Sequence, residues 1–344
     1  MVMTAISIDR SRPRSAPADR AVALWLFGCC AMIFAMVVIG GVTRLTESGL
    51  SITRWQPISG ILPPLDEADW RALYALWRDT PQGRAMPGLT LAEFERIFWW
   101  EWAHRLWGRL IGLAFALPLV WFWATGRLTR ALRWPLLGLF GLGALQGAVG
   151  WWMVASGLRD QPWVSPYRLT VHLSLALVIY ACALWLALGL AAVARAGAVG
   201  WRHARANLVL VALTIVAGGF VAGTDAGLIH NEFPTMGGGL LPPDYRNPAL
   251  GWLANAFENQ AAVQFHHRLL AILTTASVLA WTWRARSRPL AATLAVAVLA
   301  QAGLGVATLL AGVPIMLAAL HQAGAVLLLT AALLAVWATP PARA

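Results

Sequence analysis

Glu101-Trp102-Ala103-His104-Arg105 stands at the head of a strongly apolar segment in a chain of 344 residues. A carboxylate, an imidazole and a guanidinium thus sit together where each costs roughly 2.5–3.5 kcal/mol or more near a bilayer centre. Glu101 and His104 are three apart and share one face of a helix. The pattern returns at Gln264-Phe265-His266-His267-Arg268, where the His-Arg pair is kept and an amide replaces the carboxylate. The likeness implies a duplicated unit. The one difference implies that the two copies do different work.

Around these runs the chain is 59% hydrophobic and only 12% charged, with a mean hydropathy of +0.64. Soluble domains carry about 25% charged residues, so this is an integral membrane protein with many spans. The net charge is +11, and all 26 basic residues are arginine. Such a balance points to nucleic acid or to a membrane surface; the placement of the arginines decides for the membrane. Several of the tryptophans lie near the ends of apolar runs, where amphipathic rings settle among headgroups. Cys29, Cys30 and Cys182 all fall inside apolar runs, which leaves no loop disulfide. The basic tail to Arg20 lacks a small-residue cleavage pattern, so the first apolar run reads as an uncleaved helix.

A span needs about 20 apolar residues. Eight stretches qualify, at about 21–42, 98–125, 134–156, 169–194, 206–223, 259–283, 290–312 and 315–339. Eight spans place both termini on one side. That side also holds Arg127, Arg130 and Arg133, then Arg195, Arg202 and Arg205, then Arg284, Arg286 and Arg288, with no acid among them. The positive-inside rule makes it the cytoplasm. The long loops 43–97 and 224–255 then lie outside. The first span closes on Gly40-Gly41 followed by Thr46-Glu47-Ser48-Gly49-Leu50; the fifth closes on Gly218-Gly219 followed by Thr224-Asp225-Ala226-Gly227-Leu228, at a constant offset. Gln146 and Gly150 in the third span match Gln301 and Gly305 in the seventh. The predicted fold is an all-α integral membrane protein of eight transmembrane helices in two pseudo-symmetric four-helix bundles. Its divisions are a basic cytoplasmic tail at 1–20, an N-terminal half at 21–195 and a C-terminal half at 196–344.

Of seven histidines, His203 falls in an arginine-rich loop and His230 in an outer loop. His266 and His267 point about 100° apart on a helix, and the repeat selects His267 because it precedes Arg as His104 does. His104, His172, His267 and His321 remain, each in the first turns of an even-numbered span that enters from outside. All four therefore lie at similar depth, two per half. Paired imidazoles from facing helices hold haem iron, whereas zinc wants a third or fourth ligand. Arg105 and Arg268 follow two of these histidines on the outer side, where the positive-inside rule does not ask for them. A guanidinium is a good partner for the two propionates of a haem, and Arg109 shares the face of Arg105. Headgroup binding is the alternative for these arginines. Glu101 is the asymmetric group: a carboxylate one turn from His104 is placed to move protons or to stabilise developing positive charge. An ion pair with Arg105 is the alternative. Gln146 and Gln301 are candidates for cofactor contacts or for plain helix linkers.

Taken together, the duplicated Gly-Gly…Thr-acid-x-Gly-Leu ends, Glu101-x-x-His104-Arg105, Gln264-x-x-His267-Arg268, His172, His321 and the run from Thr224 to Met236 resemble the haem A synthase family. The resemblance covers nearly all of the chain beyond the first 20 residues. It implies oxidation of a methyl group of haem O to a formyl group, by two hydroxylations to a geminal diol that loses water. It implies a substrate haem at His104, His172 and Glu101, and a haem b at His267 and His321 that passes electrons. It also implies haem O delivered by haem O synthase, a product destined for cytochrome c oxidase assembly, and an electron donor that the residues do not name. The loop 43–97 has no cysteine, which places the chain in the cysteine-free branch; with the basic tail this suits a proteobacterial or mitochondrial-type member, and the short tail favours a bacterial inner-membrane protein, its haem sites toward the periplasm by the placement of the arginines. Self-association is left open. The rival reading is a dihaem cytochrome b exchanging electrons with quinone, with Glu101 inert. A transporter is a poorer fit, because the ionisable groups cluster at the outer ends of the spans and not at the midplane.

Overall fold

The computed structural model describes residues 17–56, 59–159, 161–195, 200–285 and 289–339. Most of the expected basic tail, together with Arg286 and Arg288, lies outside the described residues. Among the described residues the only regular secondary structure is helical, apart from an isolated bridge between Met236 and Gly239. The chain divides into two compact units, Met1–Val193 and Ala194–Ala344, close to the boundary expected between the halves.

In the first unit the long helices are α1 (Pro17–Leu45), α4 (Leu91–Ala124), α5 (Arg130–Gly157) and α6 (Pro166–Leu190), with short α2 (Glu67–Arg78) and α3 (Pro81–Ala85) between α1 and α4. Helix α1 packs along both α6 and α4, and α6 along α5; α4 and α5 meet over a shorter stretch. In the second unit α7 (Trp201–Gly223), α9 (Gln260–Arg284), α10 (Pro289–Leu310) and α11 (Ile315–Ala338) follow one another, with short α8 (Trp252–Glu258) ahead of α9. Here α7 packs on α9 and α11, and α10 on α11 and α9, closing a ring.

Seven of these helices are long and apolar enough to cross a membrane. The sixth expected span, α9, is not among them. It is 25 residues long, about 37 Å at 1.5 Å per residue, so length does not fail it. Its first turns carry Gln260, Gln264, His266, His267 and Arg268, and these polar groups lower its hydropathy. Large side chains such as Leu113, Leu117, Val120 and Trp134 are exposed on α4 and α5. Such faces suit hydrocarbon rather than water.

The outer stretch expected as a long polar loop is partly folded. Trp77, Phe94 and Phe98 form a buried aromatic cluster, with Trp70 and Tyr74 of α2 packed against it. Helix α4 therefore begins one to two turns before its apolar run, where Thr90 and Glu93 form a reciprocal capping box. Asp66 caps α2 by accepting from the Asp69 N–H at 2.8 Å. Sequence periodicity saw only charge and proline here. The cluster is tertiary, because its aromatic rings come from segments on both sides of α3.

Candidate functional site

The repeated span ends have one structure in both units. Thr46 donates to Val42 O at 2.8 Å, and Thr224 to Phe220 O at 2.8 Å, so each hydroxyl occupies a carbonyl near the helix end. Glu47 (φ 53°) and Asp225 (φ 56°) then turn left-handed, and a short 3-10 turn follows at Ser48–Leu50 and Ala226–Leu228. The conformation is uncommon for a side-chain-bearing residue, though acids adopt it at helix ends more readily than most. The threonine and the acid of the motif thus shape a helix stop that turns the chain back over the next histidine-bearing helix.

The glycines of the repeats explain themselves at the histidines. A Cβ on Gly40 of α1 would stand 3.4 Å from His104 Nε2, and one on Gly218 of α7 would stand 3.1 Å from His267 Cε1. A Cβ on Gly150 of α5 would stand 2.9 Å from His172 Cε1, and one on Gly305 of α10 would stand 2.8 Å from His321 Cε1. Each of the four imidazoles is therefore seated against a glycine of a neighbouring helix. His104 and His172 belong to the first unit, and His267 and His321 to the second. All four histidines are half-buried. Among the described residues no three His, Cys, Asp or Glu side chains converge on one point, so neither pair makes up a three- or four-ligand zinc centre.

The second histidine of each pair also meets a glutamine from the same face as its glycine. Gln146 Nε2 lies 3.2 Å from His172 Nδ1 and donates to His172 O at 3.0 Å. Gln301 Nε2 lies 3.0 Å from His321 Nδ1 and donates to His321 O at 2.9 Å. Both amide oxygens are buried without a partner. The first histidines differ between units. His267 Nδ1 is 3.1 Å from Thr214 O, which fixes the ring and leaves Nε2 free to ligate. His104 shows no such bond to the carbonyl of Met36, the residue at the position equivalent to Thr214.

Glu101 is 2% exposed and accepts four hydrogen bonds. Arg105 Nε and Nη2 reach Oε1 at 3.0 and 2.6 Å, and Ser51 Oγ and Ile52 N reach Oε2 at 2.8 and 2.7 Å. The ion pair weighed as an alternative in the sequence is present. Arg105 further donates to Ile52 O and Arg54 O, and Arg109 to Gln56 O. The second unit repeats this clamp with opposite polarity. Gln264 Nε2 donates to Ala226 O and Ile229 O at 2.5 and 2.6 Å, while its Oε1 accepts from Arg268. Arg268 also donates to His230 O, Glu232 O and Thr235 O. The loop over the first unit presents donors and meets a carboxylate; the loop over the second presents carbonyls and meets an amide. That complementarity is invisible in sequence, since it depends on which backbone atoms face inward. Both arginines, expected to face propionates, spend most of their N–H groups on these loops and on Glu101 or Gln264 of their own helix. Arg268 Nε remains buried without a partner, a donor that suits a carboxylate.

The remaining histidines are accounted for. His266 bonds Tyr245 OH at 3.0 Å, away from its neighbour's site, and His230 pairs with Asp244 at 2.8 Å. His203 belongs to α7 and not to a loop, and bonds Ser277 at 3.1 Å. The three cysteines are free thiols. An apolar groove of about 320 Å³ between α4 and α5, lined by Leu119, Trp123 and Phe140 among others, lies towards the end of α4 remote from His104.

Fold and site together define an all-helical membrane protein carrying a glycine-backed histidine pair in each of two repeated units. Residues 23–333 match the family model COX15-CtaA, described as cytochrome oxidase assembly protein. The chain is 51% identical over 340 residues to the Heme A synthase of Rhodospirillum centenum, covering 95% of this chain and 91% of that one. It is 48% identical over 331 residues to the Heme A synthase of Nitrosospira multiformis (92% of each chain), and 46% identical over 336 residues to that of Maricaulis maris (94% and 97%). The chain belongs to the COX15-CtaA family.

Proposed function

We propose that this protein is a haem A synthase of a bacterial inner membrane, oxidising a methyl group of haem O to a formyl group for cytochrome c oxidase assembly. The observation that carries the residue assignment is the doubled geometry: two histidine pairs, each ring seated on a glycine. The reading takes α9 as an eighth span, with two four-helix bundles, both termini in the cytoplasm and both histidine pairs toward the periplasm. The arginine-only ends of the helices support that orientation.

In this reading His104 and His172 hold the substrate haem O, and His267 and His321 hold a haem b. The difference between His267 and His104 supports the division. A ring fixed by the Thr214 carbonyl suits a resident group, and a ring without such a bond suits a substrate that must leave. Haem b, when bound, supplies one-electron transfer. The chain's own contribution is positioning and charge. Glycines 40, 150, 218 and 305 admit the rings, Gln146 and Gln301 steady the second ring of each pair, and the clamped loops cover the outer ends from water. Arg268 Nε is available to a propionate. Glu101 sits one turn from His104 with both oxygens occupied by donors, an arrangement that favours electrostatic stabilisation of positive charge developing at the methyl carbon over proton transfer. In the second unit Gln264 supplies no such charge, which suits an electron-passing site.

The test is to express the protein with a source of haem O and analyse the extracted haems by mass. Haem A, or its hydroxymethyl precursor, supports the reading. Recovery of haem b alone, in both units, would instead identify an electron carrier.

A further inference from the structure

The second unit has a line of polar side chains between α7 and α9 that the haem reading does not use. His203 Nε2 meets Ser277 Oγ at 3.1 Å, and Ser277 Oγ donates to Asn207 Oδ1 at 2.7 Å. One turn along α9, Thr274 bonds Thr214 hydroxyl to hydroxyl at 2.8 Å. Thr214 is the residue whose carbonyl holds His267. The line runs from the arginine-rich end of α7, beside Arg202 and Arg205, to the histidine site. From His203 to Thr214 it covers about 16 Å at 1.5 Å per residue.

Three observations set it apart from ordinary helix pairing. First, Asn207 is 1% exposed, yet its Nδ2 has no partner. An amide N–H left unpaired within a membrane is costly, and water is the smallest group that satisfies it. Second, the break in the line falls between the Ser277–Asn207 and Thr274–Thr214 pairs. Three residues of α9 separate them, a rise of about 4.5 Å, and seven of α7, a rise of about 10 Å, so no direct side-chain hydrogen bond closes the gap and water is the group that would. Third, the first unit pairs α1 with α4 without any of this. Its equivalents of His203, Asn207, Thr214, Thr274 and Ser277 are Trp25, Cys29, Met36, Ile111 and Ala114. There the indole of Trp25 donates straight to Ala114 O at 2.8 Å. Helix packing in this fold therefore does not require the polar line.

We propose that the α7–α9 seam is a hydrated column, with internal water held at Asn207, through which the His267 site exchanges water and protons with the arginine-rich end of the unit. Each relay hydroxyl or water passes one proton on as it receives one, so no group in the column changes charge over a full transfer. The column does not depend on which group the histidines bind.

X-ray hydroxyl-radical footprinting of the full-length protein in membranes tests it, in buffer freed of dioxygen so that the inserted oxygen comes from water, with rapid mixing into oxygen-18 water before the pulse. Val211 and Val278 flank the column and are 1% and 0% exposed. They are expected to be hydroxylated with oxygen-18 in the wild type. Ile33, the counterpart of Val211 in the first unit, is expected to stay at background. In Asn207→Cys and Ser277→Ala, labelling of both valines is expected to fall to the Ile33 level. Both substitutions install a side chain that the other unit already packs at the same place, so loss of fold is not the expected result, and either variant suffices. Absence of labelling in the wild type, labelling unchanged in both variants, or incorporation of oxygen-16 alone, the mark of water sealed from bulk, each overturns the proposal. Because the readout is not haem chemistry, its failure is separate from failure of the haem A synthase reading.

Discussion

At Glu101 one side chain meets two demands. Its oxygens receive Ser51 Oγ, Ile52 N and two N–H groups of Arg105, and it stands one helical turn from His104. Glu101→Gln keeps the volume but turns an N–H₂ group toward donors. One buried donor then goes unsatisfied, at about 1–3 kcal/mol. The expected outcome is retained haem binding with haem A formation abolished, read from extracted haems, together with faster hydrogen exchange at the Ile52 amide. Wild-type haem A in that variant would remove Glu101 from the chemistry. Gln264→Glu is the mirror case: a carboxylate oxygen placed against the Ala226 and Ile229 carbonyls repels both. Loosening of the 226–235 loop, seen by hydrogen exchange, is expected there.

Helices meet at the glycines, and the four contacts are not equally tight. A methyl at Gly305 or Gly150 falls under 3.0 Å from a histidine ring, whereas one at Gly40 stays at 3.4 Å. Overpacking of this kind costs about 1–3 kcal/mol, and here it also displaces a histidine ring. Gly305→Ala is expected to weaken or abolish the low-spin haem b signal in reduced-minus-oxidised spectra, and Gly40→Ala to leave that signal unchanged. His267→Ala and His321→Ala are each expected to lose the signal entirely; unchanged spectra in either would place the haem elsewhere. At the head of α4, Thr90→Ala removes the capping box and is expected to lower stability by about 1 kcal/mol, visible as a lower thermal midpoint with spectra intact.

For the whole molecule, the arginine-only ends predict the membrane topology. Alkaline phosphatase fused within 67–78 or 244–250 is expected to be active, and fused near 197 or 287 inactive. Activity near 287 would deny α9 its place as a span. Much of the architecture was legible from apolar run length and arginine placement, because the bilayer leaves few solutions for a chain of this composition. Most helix ends were legible to within a few residues, but α4 begins at Leu91, seven residues before its apolar run, because the cap at Thr90 and the aromatic cluster extend it. Folded α2 and α3 were not, and neither was the loop capture of Arg105 and Arg268, because their partners are backbone atoms from distant segments.

The sequence alone determined that this is a helical membrane protein with a repeated pattern of glycines and histidines. Those facts follow from hydropathy, from spacing along a helix and from self-similarity, all of which are properties of local order. Tertiary structure alone decided why the copies differ. A carboxylate faces donors in one unit and an amide faces carbonyls in the other. One first histidine is fixed by a carbonyl, and one seam between helices is polar where its twin is apolar. Each of these depends on which atoms two distant segments turn toward each other, and no pattern along one segment contains that.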